Sequence, residues 1–142
     1  VDVADIARLP AARALRTLLA RAARAALEAN GATDAEVSIT LLGDAAIQAL
    51  NERWLGRARP TDVIAFPLGD RAGGVVGDVY IGAAEALRQA AAHDAEPAEE
   101  LVRLAAHGTL HVLGYEHAEG EERTQGEMWA LQERIVAETT GR

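Results

Sequence analysis

Apolar residues recur along this chain with two alternating periods, and the order of the two periods limits the folds that the chain can adopt. After Pro10 the apolar spacing is that of a helix, which Asn30 and Gly31 are expected to end. Residues 36–41 then alternate between polar and apolar side chains, as in a half-buried strand. The chain is therefore predicted to begin with a helix, followed by a strand. The inward residues of that helix are Leu15, Leu18, Leu19, Ala22 and Ala26.

The remaining elements are predicted from the same periods and from glycine and proline positions. Strands are expected at 61–66, ended by Pro67, and at 78–81, with a loop or hairpin turn at 69–77 between them and a short strand at 1–3. Further helices are expected at 44–55, 83–93, from Pro97 to a stop at Gly114, and from about Glu119 to Glu138. Asp44 is predicted to cap the second helix, which Ile47, Leu50 and Trp54 would anchor to the core.

The length and composition favour a single globular domain. A chain of 142 residues has the usual size of one domain, so residues 1–142 are predicted to form a single metal-dependent hydrolase domain. No apolar stretch approaches the roughly 20 residues that cross a bilayer, and no secretory signal is visible at residues 1–9. The chain has no cysteine, so any metal ligand must be nitrogen or oxygen. These features predict a cytoplasmic protein.

The charge is unevenly distributed. The net charge is −8, yet residues 1–60 carry eight arginines and seven acidic residues, whereas residues 61–142 carry six arginines and fifteen acidic residues. On the first helix, four arginines gather opposite the apolar stripe, which predicts either a solvated face or a surface that meets RNA phosphate. These four are Arg13, Arg16, Arg21 and Arg24.

Three of the four histidines lie within eleven residues, at His107, His111 and His117. On a helix, positions 107 and 111 project from one face, so both imidazoles can reach a single ion. Gly114 allows the chain to leave the helix and to return His117 to the same metal. Three imidazoles leave a fourth tetrahedral position open for water, as in catalytic zinc sites. The spacing therefore predicts one catalytic Zn²⁺, although nickel or cobalt would also accept these ligands.

Two other interpretations of the histidines are weaker. The same spacing occurs in metzincin proteases, but the position of their general-base glutamate is Gly108 here, which disfavours a protease. A group of unrelated structural histidines does not explain the clustering. The fourth histidine, His93, lies outside the cluster and is predicted to be a surface residue.

Three blocks of sequence point to a known family. The run His107-Gly-Thr-Leu-His-Val-Leu-Gly-Tyr-Glu-His117 resembles the His-Gly-x-Leu-His-Leu-x-Gly-Tyr-Asp-His signature of YbeY, the bacterial endoribonuclease and rRNA maturation factor. Leu50-Asn51 with Pro60-Thr-Asp-Val-Ile-Ala-Phe-Pro67 is similar to that family's Leu-Asn and Pro-Thr-Asp-Val-Leu-Ser-Phe-Pro blocks. Gly77-Asp-Val-Tyr-Ile81 is similar to its Gly-Asp strand. The resemblance extends over about residues 36–137.

This resemblance implies an α+β fold, with a small mixed β-sheet flanked by about five helices and a zinc site at a helix C-terminus and the following turn. It also implies cleavage of single-stranded RNA, maturation of the 3′ end of 16S ribosomal RNA on the small ribosomal subunit, and ribosome quality control. The element order predicted above is compatible with that fold.

One departure from the family concerns a phosphate-binding arginine, whose position is occupied here by Leu55. Nearby Arg53, Arg57 and Arg59 are candidates to replace it, and Arg59 is favoured because Pro60 fixes the backbone beside it. Glu116 replaces the usual aspartate and keeps the carboxylate. The general base is left open between Glu116 and Asp62, either of which could instead orient a ligand imidazole.

Two functions are therefore weighed. The first is a zinc-dependent endoribonuclease, and the second is a metal-stabilised ribosome assembly or RNA-binding factor with little or no catalysis. The predicted metal ligands are His107, His111 and His117; the predicted catalytic residues are His107, Arg59 and Glu116; the predicted substrate-binding residues are Arg53, Arg57, Arg59 and Asp62.

Overall fold

A computed structural model of the chain describes residues 12–32, 34–71, 74–115 and 122–141. These residues form five helices and three strands, in the order predicted from the sequence. The elements are α1 (Ala12–Ala29), β1 (Ala35–Leu42), α2 (Asp44–Leu55), β2 (Val63–Arg71), β3 (Gly74–Gly82), α3 (Ala83–Ala92), α4 (Pro97–Val112) and α5 (Glu122–Thr140). The strand predicted at residues 1–3 lies outside the described residues.

The three strands form one mixed sheet in the order β1-β3-β2. β1 pairs with β3 in parallel, from Ala35 opposite Val75 to Leu42 opposite Gly82. β2 pairs with the other side of β3 in antiparallel, beginning with Val63 opposite Ile81. The small mixed sheet and five surrounding helices confirm the predicted α+β class.

The hairpin between β2 and β3 is longer than the sequence analysis predicted. Pro67 was expected to end β2, but the strand continues to Arg71, and β3 already begins at Gly74 within the segment predicted as a loop. Pro67 is tolerated because β2 is an edge strand, where a missing backbone donor need not break a ladder on both sides. The register shifts between Pro67 and Asp70, immediately after the proline.

The central element is α4, which packs against the sheet on one side and against α1, α3 and α5 on the others. Twelve of its sixteen residues are buried. The predicted inward residues of α1 pack around it, with Leu15, Leu19, Ala22 and Ala26 buried and Leu18 partly buried. This arrangement fixes α4 in the middle of the molecule.

Two predictions for α2 were wrong. Gly43 occupies the N-cap position, and the Asp44 side chain instead pairs with Arg88 of α3, with contacts of 2.9 and 3.0 Å. Trp54 is not an anchor, since 59% of its surface is exposed. Ile47 is fully buried, as predicted, and Asn51 is buried beside it.

Among the described helices, none is both long and apolar enough to cross a membrane.

Candidate metal and RNA site

A stripe of three side chains runs along the partly exposed face of α4. The residues of this helix that are not buried are Ala98, Arg103, His107 and His111. The last three are separated by four residues each, so they project in one row. α4 therefore buries its other faces in the core and leaves one arginine and two histidines partly exposed, and of these Arg103 and His107 line a cleft.

The two histidines face each other through their Nε2 atoms. The His107 and His111 Nε2 atoms are 3.0 Å apart, and the ring centroids are 4.6 Å apart. Two nitrogen ligands of a tetrahedral zinc ion, each at its usual distance from the metal, would be about 3.3 Å apart. The two imidazoles thus fit a shared ion with a small adjustment of the rings.

The third predicted ligand, His117, lies outside the described residues, as does Glu116. Within the described part of the chain, no group of three or more ligand-type side chains is placed to hold a metal ion. The structure therefore brings together two of the three predicted ligands. α4 ends near them, because Leu113 is its C-cap and Gly114 follows with a φ of 102°. Such a φ favours glycine and redirects the chain three residues after His111.

Gly108 explains why no general-base glutamate follows the first histidine. A Cβ atom at this position would collide with the Val79 side chain and would lie 3.2 Å from Cγ2 of Val63. Position 108 therefore faces the sheet, and α4 packs on β3 and β2 too closely for a larger residue. A larger side chain at this position would point toward the sheet.

The cleft beside His107 has a volume of about 520 Å³, and most of the residues that line it are polar or charged. α4 contributes Arg103 and His107, α5 contributes Trp129 and Gln132, and the start of β2 contributes Asp62. The other lining residues are His93, Asp94, Ala95, Glu99, Glu100, Leu104 and Glu133. The cleft thus connects His107 with Asp62, one of the predicted substrate-binding residues.

Asp62 is held in place at the edge of this cleft. Its Oδ1 accepts hydrogen bonds from the backbone N–H of Val63 at 2.8 Å and from the Thr61 hydroxyl at 3.4 Å. Its Oδ2 accepts one from the Gln89 side chain at 3.2 Å. The backbone of Asp62 is held as well, because Gly82 donates its N–H to the Asp62 carbonyl at 2.7 Å. Asp62 is a rigid carboxylate, suited to orienting a donor group.

His107 also takes part in a chain of polar contacts between α4 and α5. Its Nδ1 lies 2.7 Å from Oε1 of Gln132, and Nε2 of Gln132 donates to Glu133 at 3.1 Å. Arg103 donates two hydrogen bonds of 2.9 Å to the Glu133 carboxylate and one of 2.8 Å to Glu100. These contacts connect the first predicted metal ligand to the interface between two helices.

The electrostatics of this chain favour a fixed ion pair. Burial alone would raise the pKa of Glu133, but hydrogen bonds from Arg103 and Gln132 and the charge of Arg103 hold that pKa below its usual range. Hydrogen bonds to Glu133 and Glu100 raise the pKa of Arg103, against the opposing effect of burial. Arg103 is therefore a structural partner of the acidic residues around it, not a cation available to a ligand.

The predicted arginines occupy exposed surface elsewhere. Arg53, Arg57 and Arg59 are exposed and are not among the described residues that line the cleft. Arg59 belongs to the segment that leads to Asp62, and its carbonyl accepts a hydrogen bond from Asn51 at 2.9 Å. The four arginines of α1, Arg13, Arg16, Arg21 and Arg24, are exposed, and so is His93, as predicted.

Three aromatic side chains, Trp54, Phe66 and Tyr80, lie in a row beside Arg53. The Arg53 guanidinium lies 5.3 Å from the centre of the Trp54 ring. Trp54 contacts Phe66 edge to face at 6.1 Å, and Phe66 contacts Tyr80 in the same way at 6.0 Å. Trp54 therefore rests on the outer surface of the β2-β3 hairpin, with one arginine against its ring.

Sequence reasoning missed the residues that support His107. Gln132 was overlooked although it falls within the apolar stripe of α5, four residues after Met128 and three before Ile135. A polar residue at such a position predicts a buried hydrogen bond, and Gln132 is 3% exposed. Its partner on α4 could not be identified from the spacing alone.

Comparison with known proteins gives a consistent result. The sequence profile of the endoribonuclease YbeY family matches residues 5–140. An endoribonuclease YbeY of Azorhizobium caulinodans is 39% identical over 133 residues, which cover 91% of this chain and 82% of that protein. The protein of that name in Moorella thermoacetica is 41% identical, covering 90% of this chain and 88% of its own length.

Other comparisons match less of the relative or rest on structure. The endoribonuclease YbeY of an Anaeromyxobacter species is 49% identical, but the match covers 75% of this chain and 55% of that protein. A protein of Thermotoga maritima, whose structure was determined in solution, superposes with a TM-score of 0.65 at 28% identity. That superposition covers 94% of this chain and 86% of the other.

Proposed function

This chain belongs to the endoribonuclease YbeY family, and on that premise we propose that it is a zinc-dependent hydrolase of phosphodiester bonds in single-stranded RNA. The observation that carries the zinc part of the proposal is the pair of imidazoles on one face of α4. Their Nε2 atoms converge to 3.0 Å beside a polar cleft. His107 and His111 would hold the ion together with His117.

A zinc ion held by these residues would supply Lewis acidity, which can polarise a phosphoryl oxygen, lower the pKa of a water molecule, or do both. The protein's own residues provide position and charge. The Asp62 carboxylate, fixed by Val63, Thr61 and Gln89, would accept a hydrogen bond from the nucleophilic water or from the RNA. Glu116 is the alternative general base, which would accept a proton from the nucleophilic water.

The exposed surface beyond Asp62 is proposed to bind the RNA strand. Arg53, Arg57 and Arg59 would contact phosphates, and Trp54 offers a ring on which a base can stack. Stacking tolerates any base and needs an unpaired one, which supports a single-stranded substrate. The segment from Arg59 to Asp62 connects this surface to the cleft.

Cleavage by the metal-loaded protein tests the catalytic proposal. We expect zinc-loaded protein to cut a labelled single-stranded RNA, whereas a duplex of the same sequence stays intact. His107→Ala, prepared in parallel, should lose the cleavage because it lacks one predicted ligand. Equal cleavage by wild type and His107→Ala would show that the activity comes from a contaminant or from another site.

Metal content tests the ligand assignment separately. His107→Ala, His111→Ala and His117→Ala should each lose most bound zinc after dialysis and should stay folded, because the core around α4 does not depend on the metal. The exposed His93 provides the control, since His93→Ala should keep its zinc. Stoichiometric zinc in any two of the three variants would contradict the three-ligand site.

The finer role that we propose is maturation of the 3′ end of 16S ribosomal RNA, together with quality control of the small ribosomal subunit. The similarity of the histidine run and of residues 60–67 to the family blocks supports it. The alternative, an assembly factor that binds RNA with little catalysis, is favoured by Leu55 at the position of the family arginine and by the acidic second half of the chain. Binding without cleavage in the first experiment would select this alternative.

A further inference from the structure

Gln132 is a buried amide on a mostly apolar helix face. It is 3% exposed and lies on α5 between Met128 and Ile135, which are both almost fully buried. Burying an amide is costly unless its donor and acceptor both find partners. Here both ends are engaged, one by His107 at 2.7 Å and the other by Glu133 at 3.1 Å. The position therefore serves a specific hydrogen-bond arrangement.

The direction of this amide is set by its neighbour. An ionised carboxylate can only accept hydrogen bonds, so it must face the NH₂ group of Gln132. Glu133 is kept ionised by two hydrogen bonds from Arg103, each 2.9 Å long. The NH₂ group thus points to Glu133, and the carbonyl oxygen of the amide points to His107.

A carbonyl oxygen accepts and cannot donate, so the contact at 2.7 Å requires a proton on Nδ1 of His107. In the neutral ring the lone pair is then on Nε2, the atom that faces His111. We propose that Gln132 is a positioning residue that fixes His107 in its Nδ1-protonated tautomer and presents the Nε2 lone pair to a metal ion. The metal part of this inference rests on the proposed function, whereas the tautomer does not.

Nitrogen NMR of the full chain tests this inference directly. Long-range ¹H–¹⁵N spectra of the protein prepared without zinc should show His107 as the Nδ1–H tautomer. The His107 tautomer should stay the same on addition of zinc. A metal-free wild type with its His107 proton on Nε2 would overturn the proposal, whatever the variants do.

Two variants of Gln132 separate hydrogen bonding from packing. Gln132→Leu fills a similar volume without an acceptor, so His107 should lose its preference for Nδ1–H. Gln132→Glu keeps an acceptor and should retain that tautomer, even though it loses the donor to Glu133. The matched control is Gln89→Leu, which removes the partly buried amide that contacts Asp62 on the other side of the cleft and should leave the His107 tautomer unchanged.

Zinc affinity, measured by competition with a chelator, completes the test. Gln132→Leu should weaken zinc binding by about 10- to 100-fold, the usual effect of losing a partner of a ligand imidazole, and Gln132→Glu should restore most of it. Unchanged affinity in Gln132→Leu would overturn the positioning role. If His107 has the expected tautomer but His107→Ala binds zinc normally, the proposed metal site fails while the tautomer assignment stands.

Discussion

The side chain of Asn51 connects α2 to the arginine-rich segment that follows it. Its Nδ2 donates to the Arg59 carbonyl at 2.9 Å, and the residue is 2% exposed. This contact fixes the backbone at Arg59, three residues before Asp62, while the Arg59 side chain stays exposed. The interaction involves only main-chain atoms of Arg59, so the side chain can be altered without removing it.

Arg59→Ala should therefore lower RNA cleavage with no loss of zinc and little loss of stability. Removing one group that balances developing phosphate charge typically lowers the rate by about 10²- to 10³-fold. Cleavage rates under saturating zinc are the measurement, and Arg57→Ala, which removes another proposed phosphate contact on the same segment, is the comparison and should lose less activity. If Arg57→Ala loses as much activity as Arg59→Ala, the effect is one of general charge and not of a specific phosphate contact.

Leu55→Arg provides the reciprocal experiment. Leu55 is 51% exposed, so an arginine at this position removes little buried surface. The activity of this variant should be equal to or higher than that of the wild type, and Leu55→Arg should partly rescue Arg59→Ala. Failure of that rescue would indicate that position 55 does not reach the phosphate in this chain.

At the level of single residues, the sequence predicted that His107 and His111 lie together, but it did not predict which residue contacts His107 from another helix. The separation of His107 and His111 by four residues is a property of any helix, so their common face follows from helical geometry. Gln132 comes from another helix, and its pairing with His107 depends on how α5 packs against α4. No local pattern contains that information.

The contact between α4 and the sheet depends on glycine. Gly108 places the helix backbone directly over Val79, and Gly77 of β3 likewise faces the side chain of Val112. These two glycines, one on each element, allow a close approach along the length that carries the histidines. The position of both imidazoles relative to Asp62 therefore depends on a tightly packed interface.

Gly108→Ala should destabilise the fold, because the added methyl group would collide with Val79 in a closely packed region. A cost of about 1–3 kcal/mol in the free energy of unfolding is typical of such overpacking. Gly126→Ala is the matched control, since Gly126 lies in the exposed part of α5 with nothing near its hypothetical Cβ. That change should stabilise the helix by up to about 1 kcal/mol. Denaturant unfolding of both variants would reveal the opposite signs, and a neutral Gly108→Ala would contradict the packing described here.

The α4-α5 interface has a pH dependence of predictable sign. The pKa of Glu133 is lowered in the folded protein from its usual 4.5. Its ion pair with Arg103 therefore makes its full contribution to the stability of the fold above pH 4.5. This stabilisation is lost as the pH falls through the lowered pKa. Glu133→Gln should cost on the order of 1 kcal/mol near neutral pH, and the difference from wild type should shrink below about pH 4.5.

Unfolding free energies measured at several pH values, with Glu138→Gln as the control, would check this. Glu138 is 65% exposed and lies 3.9 Å from Arg134 on the same helix, so its removal should have little effect at any pH. A difference between Glu133→Gln and wild type that persists unchanged into the acidic range would show that charge does not stabilise this interface.

For the molecule as a whole, the sequence predicted the order of the elements and their approximate bounds. Periodicity and the placement of glycine and proline are local signals, and within the described residues they were sufficient to locate the five helices and the three strands. The extension of β2 through Pro67 was missed because it depends on β2 being an edge strand, which only the complete sheet defines. Trp54 was misplaced for a similar reason, since only one row of α2, containing Ile47 and Asn51, is covered by the rest of the protein.

The distribution of charge over the whole molecule leads to a prediction about RNA binding. The net charge is −8, so binding must rely on local arginine surfaces against an unfavourable background. Two such surfaces are exposed: the α1 face with Arg16 and Arg24, and the segment with Arg57 and Arg59. Binding to phosphates releases counterions, so the affinity for RNA should fall as the salt concentration rises. The slope of log affinity against log salt concentration is proportional to the number of phosphate contacts.

We expect affinity for a short single-stranded RNA, measured in EDTA to prevent cleavage, to fall between about 50 and 200 mM salt. Removing one arginine that contacts phosphate should reduce the magnitude of the slope by about 0.7. The double variants Arg57→Ala/Arg59→Ala and Arg16→Ala/Arg24→Ala therefore identify which of the two surfaces binds the RNA. Trp54→Ala should weaken binding by about 1–3 kcal/mol and leave the slope unchanged, because stacking releases no counterions. A slope that neither double variant alters would exclude both arginine surfaces. A Trp54→Ala variant that binds as tightly as wild type would exclude the stacking contact and leave phosphate as the principal target.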